Sequence, residues 1–156
     1  MEITKIKEIV REAEGIKTFR TEMEIDAVPG QFVMAWIPGL EEKPMSLSYV
    51  AGNLGITSLV RGPFTNRLHE METGELLGIR GPYGRGFNIE GNRLLVVGGG
   101  VGMPPLAALG EKALQDEKDV TVIIGAQTKS ALLFADRLKN AGARVLTCTD
   151  DGTCGN

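Results

Sequence analysis

The run Arg93-Leu-Leu-Val-Val-Gly-Gly-Gly-Val-Gly-Met-Pro-Pro-Leu106 constrains this chain more than any other stretch. Leu94 to Val97 are uninterrupted apolar residues suited to a central parallel strand, and glycines follow at 98, 99, 100 and 102 before a helical segment begins. A strand that breaks into a glycine turn and opens a helix aims backbone N–H groups and the positive helix end at one point, which suits a diphosphate and hence a dinucleotide. The spacing is not the usual fingerprint. Gly98, Gly100 and Met103 do not make G-x-G-x-x-G, and no acidic residue closes an obvious second strand about 20 residues on. A tight strand-to-helix turn with no ligand shares this pattern, so other residues must decide.

Length and composition bound the answer. The 156 residues can form one ordinary domain or two small ones, and 21 glycines with 7 prolines in a chain that is 42% hydrophobic indicate tight turns in a folded protein. A net charge of −3, with both signs interspersed, supplies no basic stripe for nucleic acid and no polybasic membrane patch. No apolar run approaches membrane-spanning length, and Met-Glu-Ile-Thr-Lys-Ile-Lys at the N-terminus has no signal-peptide core, so a cytoplasmic setting is expected. Cys148 and Cys154 are too few for a disulfide framework, and His69 lies far off in sequence. No metal site is expected, and both cysteines read as structural or incidental.

Residues 1 to about 90 read as short strands between turns: 2–10, 16–25, 31–37, 46–50, 55–60 and 75–79, with a helical interruption at 66–71. Glycines and prolines between them suit a small antiparallel Greek-key barrel that hides its strand edges. After Asn92 the pattern becomes strand and helix in alternation: 94–97, 105–115, 120–124, 130–140 and 144–147. Right-handed crossovers would place these three strands in one parallel sheet with ligands at their C-terminal ends. The expected organisation is thus a barrel at 1–91 and an α/β module at 92–156, the latter incomplete because three strands and two helices leave an apolar sheet partly uncovered.

Three further segments carry chemistry. In Glu42-Lys-Pro-Met-Ser-Leu-Ser-Tyr49, Lys43 offers a cation for a diphosphate, Pro44 fixes the strand entry, and the hydroxyls of Ser46 and Ser48 can meet a heteroaromatic ring. A surface lysine before an ordinary strand would look the same. In Arg61-Gly-Pro-Phe-Thr65, Thr65 stands where a helix N-cap is expected, and its hydroxyl and neighbouring N–H groups suit a phosphate; a capping threonine without ligand is the plainer reading. Gly81-Pro-Tyr-Gly-Arg-Gly-Phe87 reads as a wide turn.

Taken in order, Lys43-Pro-Met-Ser46, Gly62-Pro-Phe-Thr65, Gly81-Pro-Tyr-Gly-Arg-Gly-Phe87, Gly99-Gly-Val-Gly-Met-Pro-Pro105 and Thr149-Asp-Asp-Gly152 resemble the ferredoxin–NADP reductase superfamily over nearly the whole chain. The nearest subgroup is the electron-transfer subunit of the NAD-linked, B-type dihydroorotate dehydrogenase. The resemblance implies an FAD-binding barrel followed by a nicotinamide-nucleotide module, for NAD(H) or NADP(H), with the flavin between them. It implies flavin contacts from Lys43, Pro44, Met45, Ser46, Leu59, Val60, Gly62, Phe64 and Thr65, with Ser46 beside flavin N5 as the one catalytic candidate. It implies nicotinamide-dinucleotide contacts from Gly99, Gly100, Gly102 and Pro105.

The same resemblance implies a partner, the FMN-containing dihydroorotate dehydrogenase catalytic subunit, with electrons passing to or from NAD through FAD in pyrimidine biosynthesis. Intact relatives add a cysteine-rich segment holding a [2Fe–2S] cluster; Cys148 and Cys154 precede that region and are not assigned to it. Two residues depart from the pattern. Lys43 replaces an arginine, giving a point charge for a bidentate fork, and the second proline of Met103-Pro-Pro105 removes an N–H that would face phosphate. The residues that contact the ribose, and so separate NAD from NADP, are expected beyond Asn156, since Gln127 and Thr128 are neutral. Related small subunits of ferredoxin–NAD(P) reductase, sulfide dehydrogenase or hydrogenase diaphorase type share these motifs, and a non-catalytic flavin-binding or docking module is the remaining alternative.

Overall fold

The computed structural model describes residues 1–155. Six antiparallel strands, β1 (Glu2–Ala13), β2 (Ile16–Glu24), β3 (Phe32–Trp36), β4 (Glu42–Tyr49), β5 (Asn53–Leu59) and β6 (Leu76–Tyr83), close into a barrel in the order β1-β2-β5-β4-β3-β6. Alternate residues turn inward, as the two-residue period of a strand requires, and Ile6, Phe19, Val33, Leu47, Leu54, Ile56 and Leu77 fill the interior. Helix α1 (Pro63–Glu70) plugs one end of the barrel with Phe64 and Leu68. Its basic residue His69 bonds through Nε2 to the Ser58 carbonyl at 2.9 Å. A carbonyl can only accept, so Nε2 carries the proton.

Three parallel strands follow, β7 (Arg93–Gly99), β8 (Asp119–Ala126) and β9 (Arg144–Thr149), in the order β7-β8-β9, with helices α2 (Met103–Gln115) and α3 (Ala135–Ala141) between them. Right-handed crossovers advancing in one direction lay both helices on the same face. Val96, Val122 and Ile124 are buried there against Ala107, Ala113 and Leu138. The other face is open, as three strands with two helices imply. β7 is not the central strand that its apolar run suggests. It is an edge of the sheet, and Leu95 and Val97 stand 62% and 63% exposed.

The structure corrects three local expectations. β4 begins at Glu42, so Lys43 and Pro44 lie inside the strand and not before it. The helix at 66–71 starts at Pro63, because Pro is preorganised for a first helical position and lacks the N–H that would be orphaned there. The helix at 130–140 splits into a short 3-10 turn at Lys129–Ala131 and an α3 that begins only at Ala135. Phe134 separates them in the left-handed region (φ 62°), which turns both Leu133 and Phe134 into the core. A bulky residue there costs on the order of 1–3 kcal/mol, and burial of two large side chains offsets it.

Burial pushes the His69 imidazole below its ordinary value of 6.5, because desolvation penalises the charged ring. The folded chain therefore prefers neutral His69. Its contribution is fully present above about pH 6.5 and is lost as pH falls from there through the lower folded-state value. Urea unfolding at pH 7.5 and 5.5 should show stability falling toward the acid side, and His69→Gln, which keeps a donor for the Ser58 carbonyl, should flatten that dependence.

Candidate functional site

The site follows from how β4 leaves β5. The two strands pair only at Leu47 with Ile56 and at Tyr49 with Gly55, with an irregularity between. The earlier half of β4, Glu42 to Ser46, pairs with β3 alone, while the end of β5 pairs with β2. One edge of β4 is thereby free, which is why a proline is accommodated at 44. Between the diverging strands lies a cleft of about 260 Å³, with Pro44, Met45 and Ser46 on one wall and Thr57, Ser58 and Leu59 on the other. Arg61 and Thr65 close it from the start of α1, and Val101, Pro104 and Pro105 close it from the α/β module.

A second, adjoining cleft of about 620 Å³ lies at the C-terminal ends of β7, β8 and β9. Gly99, Gly100, Val101 and Gly102 form one side, Gly125 to Gln127 and Asp150 another, and Leu59 and Arg61 the barrel side. Leu59, Arg61 and Val101 thus line both clefts. The glycines divide by role. A Cβ on Gly98 would lie 2.6 Å from Leu106 Cδ1, and one on Gly99 would lie 2.8 Å from the Gly125 carbonyl oxygen, so these two serve packing against α2 and β8. Gly100 (φ +50°) and Gly102 face open space, leaving their backbone accessible to an incoming group.

Most of the residues singled out by motif converge here. Pro44, Met45, Ser46, Leu59 and Thr65 line the first cleft with Pro105, and Gly99, Gly100 and Gly102 line the second. Lys43 does not line either; its ammonium pairs with Glu41 at 2.8 Å on the exposed side of the barrel. Val60 is exposed next to the cleft wall, Gly62 is the N-cap of α1, and Phe64 is buried in the barrel core. Thr65 is the third helical residue and not the N-cap. Its Oγ1 accepts the N–H groups of Arg61 (2.8 Å) and Gly62 (3.0 Å) and donates to the Gly62 carbonyl (3.1 Å). That hydroxyl is saturated by the turn, which leaves the backbone N–H groups of the helix start for any anion.

Two residues at the site lie in the motif segments but carry no assigned role in the sequence reading. Arg61, two residues beyond the end of β5, is the cation common to both clefts, a position readable from its neighbour Gly62 but not from charge pattern. Asp150 stands at the second cleft, held there by its N–H bond to the Ala126 carbonyl at 3.0 Å. Asp151 beside it is held below the usual carboxylate range by hydrogen bonds from the Thr153 hydroxyl and N–H. Cys148 Sγ lies toward the Ile124 carbonyl and Cys154 Sγ lies against Thr147 Oγ1, and neither cysteine lines these clefts.

A barrel with an open strand edge facing the glycine turn of a parallel α/β module is the two-module arrangement of ferredoxin–NADP reductases, and the chain has that fold. It superposes on a solved NADH-dependent reduced ferredoxin–NADP oxidoreductase with a TM-score of 0.86 at 28% identity, covering 99% of this chain and 59% of that one. A ferredoxin reductase of carbazole 1,9a-dioxygenase (TM-score 0.82, 18% identity, 97% and 51% covered) shares the fold. So does a flavohemoglobin from Malassezia yamatoensis solved with FAD and heme (0.81, 19%, 94% and 45%). No family model matches the sequence.

In sequence the chain resembles probable electron transfer subunits of dihydroorotate dehydrogenase B (NAD(+)). It is 48% identical to that of Methanothermobacter thermautotrophicus over 99% of its own length and 59% of the relative's. It is 41% identical to that of Thermococcus kodakarensis over 98% and 64%. The chain spans about three-fifths of the length of these relatives.

The division among the glycines is open to a direct check. Gly99→Ala must displace β8 backbone and should cost about 1–3 kcal/mol in urea unfolding. Gly102→Ala meets open space and should leave stability within about 0.5 kcal/mol of wild type.

Proposed function

We propose that this chain is the flavin- and nicotinamide-binding part of the electron-transfer subunit of a B-type dihydroorotate dehydrogenase. On this reading it passes electrons between an FMN-containing catalytic subunit and NAD. The observation that carries the reading is the adjacency of the two clefts, which share Leu59, Arg61 and Val101 as a common wall. A group in the strand-lined cleft and a nucleotide on the glycine turn would meet at that wall. The 48% and 41% identities to named electron transfer subunits support the choice of partner reaction, and the [2Fe–2S] cluster of the proposed whole protein has no ligands assigned in this chain.

The residues fit an FAD in the first cleft. Apolar Pro44, Met45 and Leu59 offer flat contact to a ring, Ser46 offers a hydroxyl donor on the exposed strand edge, and the helix start at Phe64 and Thr65 offers N–H groups to a diphosphate. With Lys43 paired to Glu41, Arg61 supplies the cation, and its planar fork suits phosphate better than an ammonium. Gly100 and Gly102 hold the nicotinamide nucleotide by backbone approach. Asp150 supplies at the second cleft an acceptor for ribose hydroxyls and a charge that repels a 2′-phosphate, which favours NAD(H) over NADP(H).

Hydride exchange between nicotinamide and flavin is chemistry that the cofactors supply when bound. The protein's task is alignment, and the cleft walls supply that through fixed strands in place of an acid–base pair. Pro104 and Pro105 give the first cleft a rigid apolar side, while Ser46 holds a proton for a hydrogen bond at the ring edge.

A second reading is favoured by one observation, the 28% identity to the solved ferredoxin–NADP oxidoreductase, which would make the acceptor an iron–sulfur protein. The higher identity to the dihydroorotate dehydrogenase subunits ranks it second.

The visible absorption spectrum of the purified, untreated protein is the test. Flavin bands that bleach with NADH and far less with NADPH are expected; a protein that stays colourless after FAD is added sinks the reading. Ser46→Ala should keep its flavin and slow NADH-driven bleaching by roughly tenfold, the size of one hydrogen bond of about 1.4 kcal/mol. An unchanged rate removes Ser46 from the reaction.

A further inference from the structure

A polar cluster drawn from both modules lies outside both clefts, where the barrel meets the α/β module. Arg137 of α3 gives Nε and Nη2 to the two carboxylate oxygens of Glu111 on α2, each at 2.6 Å, and Nη2 also donates to the Ser48 carbonyl of β4 at 2.8 Å. Its guanidinium lies over the Tyr49 ring at 3.7 Å. Arg20 of β2 lies over the same ring at 3.9 Å. Two guanidinium groups that close to one ring centre cannot share a face, so Tyr49 is sandwiched between them. Gly55 makes room for the stack, since a Cβ there would fall 2.7 Å from Tyr49 Cδ2 and 3.0 Å from Arg20 Cδ. The pair is largely withdrawn from solvent, with side chains 13% exposed for Arg137 and 29% for Glu111.

Position gives the cluster its meaning. β4 carries Pro44 to Ser46 in the first cleft and, two residues on, Ser48 and Tyr49 in the cluster. α2 carries Pro104 and Pro105 at the first cleft and Glu111 in the cluster, six residues or about 9 Å along the helix from Pro105. The cluster therefore ties together the far ends of the two elements whose near ends frame the site. We infer that Arg137 is a positioning residue: by bracing α2 against β4 it sets the seating of the glycine turn over the strand-lined cleft, without touching either bound group. The inference rests on the flavin–nicotinamide reading for its catalytic consequence, though not for its structural one.

The test is made on the full-length holoprotein with Arg137→Met and Glu111→Gln. FAD content and the NADH dissociation constant should stay within about twofold of wild type, because no cofactor-contacting residue is removed. NADH-driven flavin bleaching in stopped flow should slow by at least tenfold with a larger deuterium isotope effect from 4-deuterated NADH. Bleaching at the wild-type rate in both variants overturns the inference.

If wild-type flavin is not bleached by NADH at all, the functional reading fails, and residual dipolar couplings decide the bracing by itself. Couplings from barrel and α/β module should fit one alignment tensor in wild type and require two in Arg137→Met; one shared tensor in the variant overturns the inference. Should Arg137→Met not fold, Arg137→Lys, which keeps the charge but loses the fork and the stacking plane, carries both measurements.

Discussion

Everything at the site depends on the short pairing between β4 and β5. Barrel closure removes strand edges, yet these strands share only the Leu47–Ile56 and Tyr49–Gly55 positions before they diverge. The divergence opens an unpaired edge along Pro44 to Ser46 in an otherwise closed barrel, and that opening is the first cleft. An open edge invites pairing with another chain. Here the proline withholds a ladder donor, and Val101, Pro104 and Pro105 of the second module cover the gap from the side. The same substitution of loop and helix for a missing strand partner brings the glycine turn to the barrel.

The inter-module contact keeps that arrangement in place. A two-pronged arginine–carboxylate bond that is partly shielded from water, with side chains 13% and 29% exposed, is stronger than a solvent-exposed ion pair, and stacking of the guanidinium on an aromatic face adds to it. Arg137 takes part in both, and its carbonyl acceptor belongs to a different module from its carboxylate partner. The cluster therefore resists rotation about the module boundary more than a hydrophobic contact of similar size would, since apolar contacts slide while a fork bond has one geometry.

Much of the fold was legible in the sequence because it rests on local periodicity. Short runs between glycine- and proline-bearing turns marked the six barrel strands, and the change to strand–helix alternation after Asn92 marked the parallel module. The misreadings have physical causes that single-sequence patterns do not carry. The Ser130–Asn140 stretch looks like one helix until Leu133 and Phe134 must both enter the core, which a helix would put 100° apart in turn. Leu94 to Val97 look doubly buried, but two crossovers in the same direction cover only one face. The motif residues around the clefts were legible because they are contiguous. Arg61 and Asp150 needed the fold to bring distant segments together, and the Arg20–Tyr49–Arg137–Glu111 cluster, drawn from four elements, has no sequence signature at all.

The two prolines opening α2 show how the site balances attraction and access. A helix start ordinarily offers up to four free N–H groups to an anion, but Pro104 and Pro105 have none, and the Met103 N–H is used by the Gly100 carbonyl. The helix keeps its dipole while losing most of its donors. Backbone access for an incoming group is thereby left to the glycine turn, where Gly100 and Gly102 face open space, with Arg61 the cation on the barrel side of the same cleft. The prolines give the first cleft a rigid apolar wall beside the residues shared with the second, with Pro104 buried and Pro105 half-buried. Rigid apolar surface for the first cleft and backbone access for the second are thus divided between neighbouring stretches of one turn-and-helix unit, Pro104 to Pro105 and Gly99 to Gly102, so that neither cleft can be reshaped without the other.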